Sequence, residues 1–292
     1  PYRRMSALLP IFCSSPEGVY VYESNRYDHL RLFSHTGEYL KTLFPFPTSQ
    51  IKKNNGLKWV NAPDGHEIAE KESNWHQTFL TSGTNSQGSG GGGEGRIGLG
   101  ATCLAVKGKR IALAYIYLNR MATEGSLGDL SLTGCKLREI HPRPFDGKPD
   151  VGPDEKGANQ PVGPGSMAFS PDGKTVYITG YSWNEYSARD NSLHAVYKVN
   201  YESKEGPVVF AGVNSEKDYG SDDTHFAVPT SVDTDAVGNV YVSDYCNNRV
   251  QVFEPSGKLL KSFSVKSPAK VLVNKKTGEI YVDKLSFIPN ME

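Results

Sequence analysis

His225, Tyr245 and Arg249 are the residues of this sequence with the types and closeness that proton-transfer chemistry needs, lying in HFAVPTSV (225–232) and YVSDYCNNR (241–249). A tyrosine and a histidine brought together can form the acid–base pair of a lyase or hydrolase, so these three are the catalytic candidates if the chain is an enzyme. Arg249 equally suits a structural role, tying neighbouring repeats together. Asp222 and Asp223 precede His225, and Asp244 adjoins Tyr245. A second group mixes aromatics with charges: Tyr181, Trp183, Tyr186 and Arg189 in one segment, Arg26 and Tyr27 in another. With Asp223, these are the candidates for holding a glycan or protein ligand by stacking and ion pairing. A rim that is merely solvated is the alternative.

Strong catalytic signatures are missing: there is no HExxH, GxSxG, P-loop or CxxC. The glycine run 88–95 is followed by no Lys-Ser or Lys-Thr, so it is not a phosphate cradle. Asp146, Asp150 and Asp154 stand among prolines, unlike a calcium loop, and His66 and His76 are isolated. The cofactor is left open, with a divalent metal, calcium or zinc, as the candidate.

Lys plus Arg equals Asp plus Glu at 32 each, so no overall field favours nucleic acid. Apolar runs such as 111–118 fall far short of the ~20 residues of a membrane helix, so no membrane span is expected. The sequence opens on Pro1 without a charged-then-apolar leader, and an extracellular or periplasmic location is the expectation. Cys13, Cys103, Cys135 and Cys246 are too scattered for a disulfide scaffold and are expected mostly to remain thiols.

The elements that must position the candidates repeat along the chain. Residues 228–263 read as four short strands separated by turns at 236–239 and 254–257. Phe33 and Phe253 share one spacing onward: three residues, Gly, two residues, Leu-Lys, one residue, an apolar residue. Copies of the first two strands occur at 101–115, 166–179 and 268–282, so five second strands are visible, near Tyr20, Ala112, Tyr177, Tyr241 and Tyr281. Such a repeat predicts an all-β fold, a β-propeller of four-stranded antiparallel blades forming one domain over 1–292, with five units visible and six blades or a truncated ring both open. An open β-sandwich is the competing fold.

The PT-x-V-x-x-D…GN-x-YV-x-D…NNRV-x-V-F pattern of residues 229–253 resembles an NHL repeat. The resemblance implies blades set radially about a channel, commonly six. The segment 225–249 also resembles one blade of the peptidyl-hydroxyglycine lyases, zinc-dependent propeller enzymes in which a Tyr and an Arg act at the channel mouth. On that resemblance Tyr245 takes the tyrosine position. The family's zinc histidines follow the blade-opening proline, where this chain has Thr230 and Ala269, and the cysteine that would partner Cys246 is Ala227.

In a four-stranded meander the first-to-second and third-to-fourth connections leave at one end and the remaining connections at the other. The first kind here are all tight turns, whereas the long segments 45–98, 118–163, 181–192 and 212–227 are of the second kind. Elaboration gathered at one rim predicts that this rim carries the function. Within the first insertion, 57–60 is expected to pair with 76–80, or 67–74 to form a helical turn. The leading expectation is an exported propeller binding a glycan or protein through its loop-rich face; the alternative is a propeller lyase or hydrolase acting on a polysaccharide or peptide at the channel mouth.

Overall fold

The computed structural model describes residues 11–24, 28–44, 57–65, 67–71, 101–108, 110–115, 120–123, 136–139, 161–163, 165–180, 182–183, 192–201, 207–215 and 217–284. These are all-β and fall into two compact units. In the first, β1 (Ile11–Ser15), β2 (Gly18–Ser24), β3 (Asp28–Phe33) and β4 (Tyr39–Phe44) form one antiparallel sheet in chain order. Alternation puts Tyr20, Tyr22, Leu30 and Leu32 on one buried face, and β1 and β2 lie against β7 (Ala101–Lys107), which pairs with β8 (Arg110–Tyr115).

Between them, β5 (Leu57–Asn61) pairs with β6 (Glu67–Lys71), setting Trp59 opposite Ala69 and Val60 opposite Ile68. This corrects the expectations for the segment: the partner of 57–60 is not 76–80, which lies outside the described residues, and 67–71 is extended rather than helical. The cause is local, because Pro63-Asp64-Gly65 closes a turn in which the Gly65 N–H donates to the Ala62 carbonyl (2.9 Å) with Gly65 at φ +85°. Strands β9 (Arg120–Thr123) and β10 (Lys136–Glu139) pair within the segment read as the second insertion.

The second unit begins with β11 (Pro161–Gly163), β12 (Ser166–Phe169), β13 (Thr175–Thr179), β14 (Ser182–Trp183), β15 (His194–Asn200) and β16 (Val208–Val213). β12, β13, β15 and β16 make a four-stranded antiparallel sheet, and β11 pairs with β14. The clearest sequence repeat becomes β17 (Pro229–Thr234), β18 (Val240–Asp244), β19 (Arg249–Phe253) and β20 (Leu259–Ser264), again a meander in chain order. A further pair, β21 (Pro268–Val273) and β22 (Ile280–Lys284), follows. All five second strands expected from the sequence are present as β2, β8, β13, β18 and β22.

Successive sheets of this unit meet through their first strands, which marks them as propeller blades rather than layers of a sandwich. The Ser166 hydroxyl donates to the Val232 carbonyl (3.3 Å) and accepts the Val232 N–H (3.1 Å). One blade on, Ser231 does the same with Val271 (3.5 and 3.2 Å). Asp233 adds a carboxylate oxygen that accepts the Val273 N–H at 2.7 Å. Apolar faces fill the space between: Tyr177, Val196 and Phe210 pack on Val232, Val240 and Val242, and Tyr241, Val250 and Val252 pack on Val271 and Val273. Each such burial contributes about 1.5–3 kcal/mol before chain entropy is set against it.

In the three sheets that are four-stranded among the described residues the register slips where the third strand meets the outermost one, at Leu32/Phe33, Val196/Tyr197 and Val252/Phe253. The shared Phe–Gly–Leu-Lys spacing at Phe33 and Phe253 therefore encodes both a turn and a bulge. Both turn glycines take the left-handed region, Gly37 at φ +88° and Gly257 at φ +95°.

Candidate functional site

The end of the second unit opposite its tight turns is built from the β16–β17 connection and the β18–β19 turn, which bond to each other as the geometry of a meander requires. The Cys246 N–H donates to the Ala227 carbonyl (3.0 Å), Tyr245 N–H to Val228 (3.2 Å), and the Asn247 side-chain amide to Gly220 (2.7 Å). The His194 N–H donates to the Ser215 carbonyl (3.3 Å), which brings the residue following Ser192 and Leu193 to the same end. Asn248 takes φ +53°, a conformation asparagine tolerates, so the turn closes without glycine.

Asp244 is fully buried at the base. Its carboxylate accepts the Ala227 N–H (2.8 Å), the Asn247 amide (2.8 Å) and Arg249 Nε (2.8 Å). Burial nevertheless holds this carboxyl above the usual carboxylate range, against the opposing pull of those three donors. Arg249 uses its remaining nitrogens on the connection above: Nη1 donates to Ser221 O (2.7 Å), Nη2 to Asp222 O (2.7 Å) and His225 O (2.8 Å). Arg249 thus clamps the loop that carries His225.

His225 lies between two carboxylates. Its Nδ1 is 2.7 Å from Asp222 Oδ2, and its Nε2 is 3.4 Å from Asp218 Oδ1. Thr224 donates its N–H (2.8 Å) and hydroxyl (2.7 Å) to the Asp222 carboxylate. Those bonds, with that from His225, hold Asp222 far below the usual carboxylate range, and the Asp222 hydrogen bond in turn raises His225. Gly220 allows the close approach, since a Cβ there would meet His225 Cβ at 3.1 Å. The result is an imidazole oriented at Nδ1, with a looser contact at Nε2: geometry suited to handling a proton.

Of the three catalytic candidates, only His225 presents its side chain at this end in that manner. Tyr245 is buried, and Arg249 is committed to Asp244 and loop carbonyls. Asp223 is exposed beside Asp222. Trp183 stands in β14 opposite Pro161, while Arg26, Tyr27, Tyr181, Tyr186 and Arg189 lie outside the described residues. Sequence reasoning missed His194, which is buried beneath the connection, accepts the Val228 N–H at Nδ1 (3.1 Å) and meets the Tyr219 ring edge-on at 5.1 Å. Val228, at φ +61°, is a β-branched residue in the left-handed region, held there by bonds from both its N–H and its carbonyl.

The donor set for zinc implied by the lyase resemblance does not fit. The Thr230 hydroxyl donates to the Pro268 carbonyl (3.2 Å) as an inter-blade tie, and Ala269 offers no ligand at its position. Among the described residues no group of three or more His, Cys, Asp and Glu is arranged to hold a metal. Cys13, Cys103 and Cys246 are thiols, and Ala227 lies against Cys246 where a second sulfur would be needed for a bridge.

Comparison with known proteins recognises the repeat that follows His225 and carries Asp244, Tyr245 and Arg249. Residues 226–253, which contain β17, β18 and β19, match the NHL repeat. Over 130 residues the chain is 32% identical to the peptidylglycine alpha-amidating monooxygenase of Rattus norvegicus, covering 44% of this chain and 12% of that protein. Over 98 residues it is 30% identical to the peptidyl-alpha-hydroxyglycine alpha-amidating lyase 2 of Drosophila melanogaster, covering 33% of this chain and 22% of that one. The chain thus spans well under two thirds of the length of these relatives. Among solved structures, a gluconolactonase from Xanthomonas campestris matches with a TM-score of 0.38 at 12% identity, over 91% of this chain and 65% of that one. A Bacteroides thetaiotaomicron protein of unknown function matches with a TM-score of 0.45 at 12% identity, over 95% and 67%. The chain is thus a β-propeller with one NHL repeat, at residues 226–253, beneath its candidate site.

Proposed function

We propose that the chain is a propeller lyase or hydrolase acting on a small peptide-like or sugar substrate at the His225 end of the second unit. One observation carries the reading: His225 is oriented by Asp222 at 2.7 Å on a loop that Arg249 holds rigid. The identity to proteins named as amidating lyase and amidating monooxygenase supports the same class. The Asp222 hydrogen bond raises the His225 pKa and so favours its protonated form, in which it gives a proton to the leaving atom as the scissile bond breaks, while the other fragment loses a substrate proton in a lyase or takes up water in a hydrolase; Asp222 stabilises the imidazolium and fixes its orientation. Arg249 and Asp244 are positioning residues. The test is turnover of a peptidyl-α-hydroxyglycine, a lactone panel and an uronate oligosaccharide by purified protein and by His225→Asn. Equal rates for the two proteins on every substrate turned over, or no turnover at all, would defeat the proposal.

A second reading is an exported binding propeller that holds a glycan or protein at this rim without chemistry. Its support is that Arg249 and Tyr245 are framework residues, leaving His225, Asp223 and the half-exposed Tyr219 as an open polar and aromatic surface. Among the described residues no helix is long and apolar enough to cross a membrane. Saturable glycan binding without product release would select this reading.

A further inference from the structure

His194, at the start of β15, touches the connection that carries His225 on both sides of that residue. Its Nδ1 accepts the Val228 N–H at 3.1 Å, and its ring meets the Tyr219 ring edge-on at 5.1 Å. Between Tyr219 and Val228 the chain closes on itself, the Gly220 N–H donating to the Phe226 carbonyl at 3.2 Å. His194, Phe226, Ala227 and Val228 are all buried. Successive backbone donors of this closing segment go to two different titratable side chains: the Ala227 N–H to Asp244 Oδ1 at 2.8 Å, the Val228 N–H to His194. Val228 stands at φ +61°, a conformation that a β-branched residue keeps only where its surroundings enforce it.

We propose that His194 is a positioning residue for the His225 connection, a latch that is closed while its ring is neutral and released when Nδ1 takes up a proton. A ring nitrogen that accepts an N–H carries no proton of its own, so the neutral ring bears its proton on Nε2. Protonation turns Nδ1 into a donor facing the donor of Val228 and sets a charge in a fully buried place, so the protonated ring and the closed connection exclude each other. Acid therefore opens the latch. Among the described residues, the charged and titratable groups around the ring come from three directions. β18 and β19 bring Asp244 and Arg249, paired at 2.8 Å; Asp244 already accepts from Ala227, Asn247 and Arg249 and does not stand ready for an imidazolium. The connection brings Tyr219 and, with His225, Asp218 and Asp222, which lie against the His225 ring. β15 itself brings Lys198, whose Nζ lies 5.7 Å from the centre of the Phe210 ring, and β16 carries no titratable residue. The latch concerns how the connection is held and stands whether His225 serves catalysis or binding; only its effect on turnover rests on the proposed chemistry.

The purified chain is followed from neutral pH into the acid range by amide exchange, expressed as protection factors, and by NMR of the His194 ring. The Nε2–H tautomer is expected at neutral pH. Protection of the Val228 amide should fall by roughly tenfold or more with the midpoint of the His194 titration, while the Thr224 amide, bonded to Asp222 within the connection, stays protected. His194→Asn, whose side-chain carbonyl can accept where Nδ1 does but does not titrate, should keep Val228 protected through that midpoint. His194→Leu should leave Val228 unprotected at every pH. The proposal is overturned by an Nδ1–H tautomer at neutral pH, by a Val228 midpoint that differs from that of His194, or by the same acid loss in His194→Asn. Should His194→Asn unfold or fail to protect Val228 at neutral pH, the tautomer and the coincidence of the two midpoints in the unaltered chain decide. Turnover should show the same acid limb; an inactive protein counts against chemistry at His225 and leaves the exchange result to judge the latch.

Discussion

Arg249 Nε lies 2.8 Å from the buried Asp244 carboxylate, and the same guanidinium reaches three carbonyls of the β16–β17 connection. One side chain therefore joins the base of a blade to the loop that bears His225. Removing it strands a carboxylate that has no access to water.

Arg249→Ala is expected to destabilise the fold by about 3–5 kcal/mol, the usual consequence of breaking one side of a buried pair. Urea unfolding measures it. Because burial raises the Asp244 pKa in the folded chain, its protonated form is the better tolerated one, so stability drawn from this group is greatest at low pH and falls as pH rises through the raised value. The deficit of Arg249→Ala should accordingly shrink as pH is lowered into the carboxylate range, and a deficit independent of pH would contradict the arrangement.

The His225–Asp222 pair predicts a bounded pH window for loop order. His225 is raised, so its contribution is complete below the ordinary imidazole range and is lost as pH rises through the raised value. Asp222 is lowered, so its contribution is complete above the ordinary carboxylate range and is lost only as pH falls through the lowered value. Exchange of the Thr224 amide should be slowest between these limits. An imidazole titration by NMR should lie above the free value and move down in Asp222→Asn.

If His225 is the proton donor, turnover should decline on the alkaline side with the pKa found in that titration, and the limb should shift with Asp222→Asn. A rate profile flat through the titration of His225 would remove it from the chemistry.

Gly257→Val and Gly37→Val make a matched pair. Both glycines hold positive φ at the same turn of their repeats, yet a Cβ at Gly257 meets the Phe210 carbonyl at 3.1 Å while none lies within 4 Å of one at Gly37. Gly37→Val should lose about 1–2 kcal/mol from backbone strain alone, and Gly257→Val measurably more. Thermal unfolding of the two variants reads the difference.

Ser231→Ala deletes two of the bonds that fasten β17 to β21, those of the hydroxyl with the Val271 N–H and carbonyl, and leaves the Thr230–Pro268 and Asp233–Val273 ties in place. A loss of about 1–3 kcal/mol is expected, since the Val271 amide is left unsatisfied in a buried place. Denaturant titration with an unchanged slope would show that the effect is on stability alone.

The elements were largely legible because their determinants are local. Tyr20, Ala112, Tyr177, Tyr241 and Tyr281 each mark a strand that follows a turn, and Gly37, Gly257 and Gly278 sit where the chain needs positive φ. The β5–β6 pairing was not read from the sequence, although Pro63-Asp64-Gly65 marks its turn, because the turn chemistry fixes where the chain reverses more firmly than the residue types farther along fix a partner strand. The site was harder. Arg249 acts mostly on backbone carbonyls, which carry no residue type, so its partners Ser221, Asp222 and His225 leave no pattern in the sequence. His194 lies 34 residues before the Val228 N–H that it accepts, and nothing local distinguishes it from an exposed histidine. The pairing of His225 with Asp222, three residues apart, was within reach because only loop closure separates them.

The slips at Leu32/Phe33, Val196/Tyr197 and Val252/Phe253 reach beyond the sheets that contain them. An extra residue at that point sharpens the local twist and turns the outermost ribbon away from a flat course. Those outermost ribbons expose Tyr39, Leu40, Val208 and Leu260, side chains that on a straight border would invite one molecule to zip onto the next. The irregularity therefore works against the pairing of this greasy perimeter with another strand.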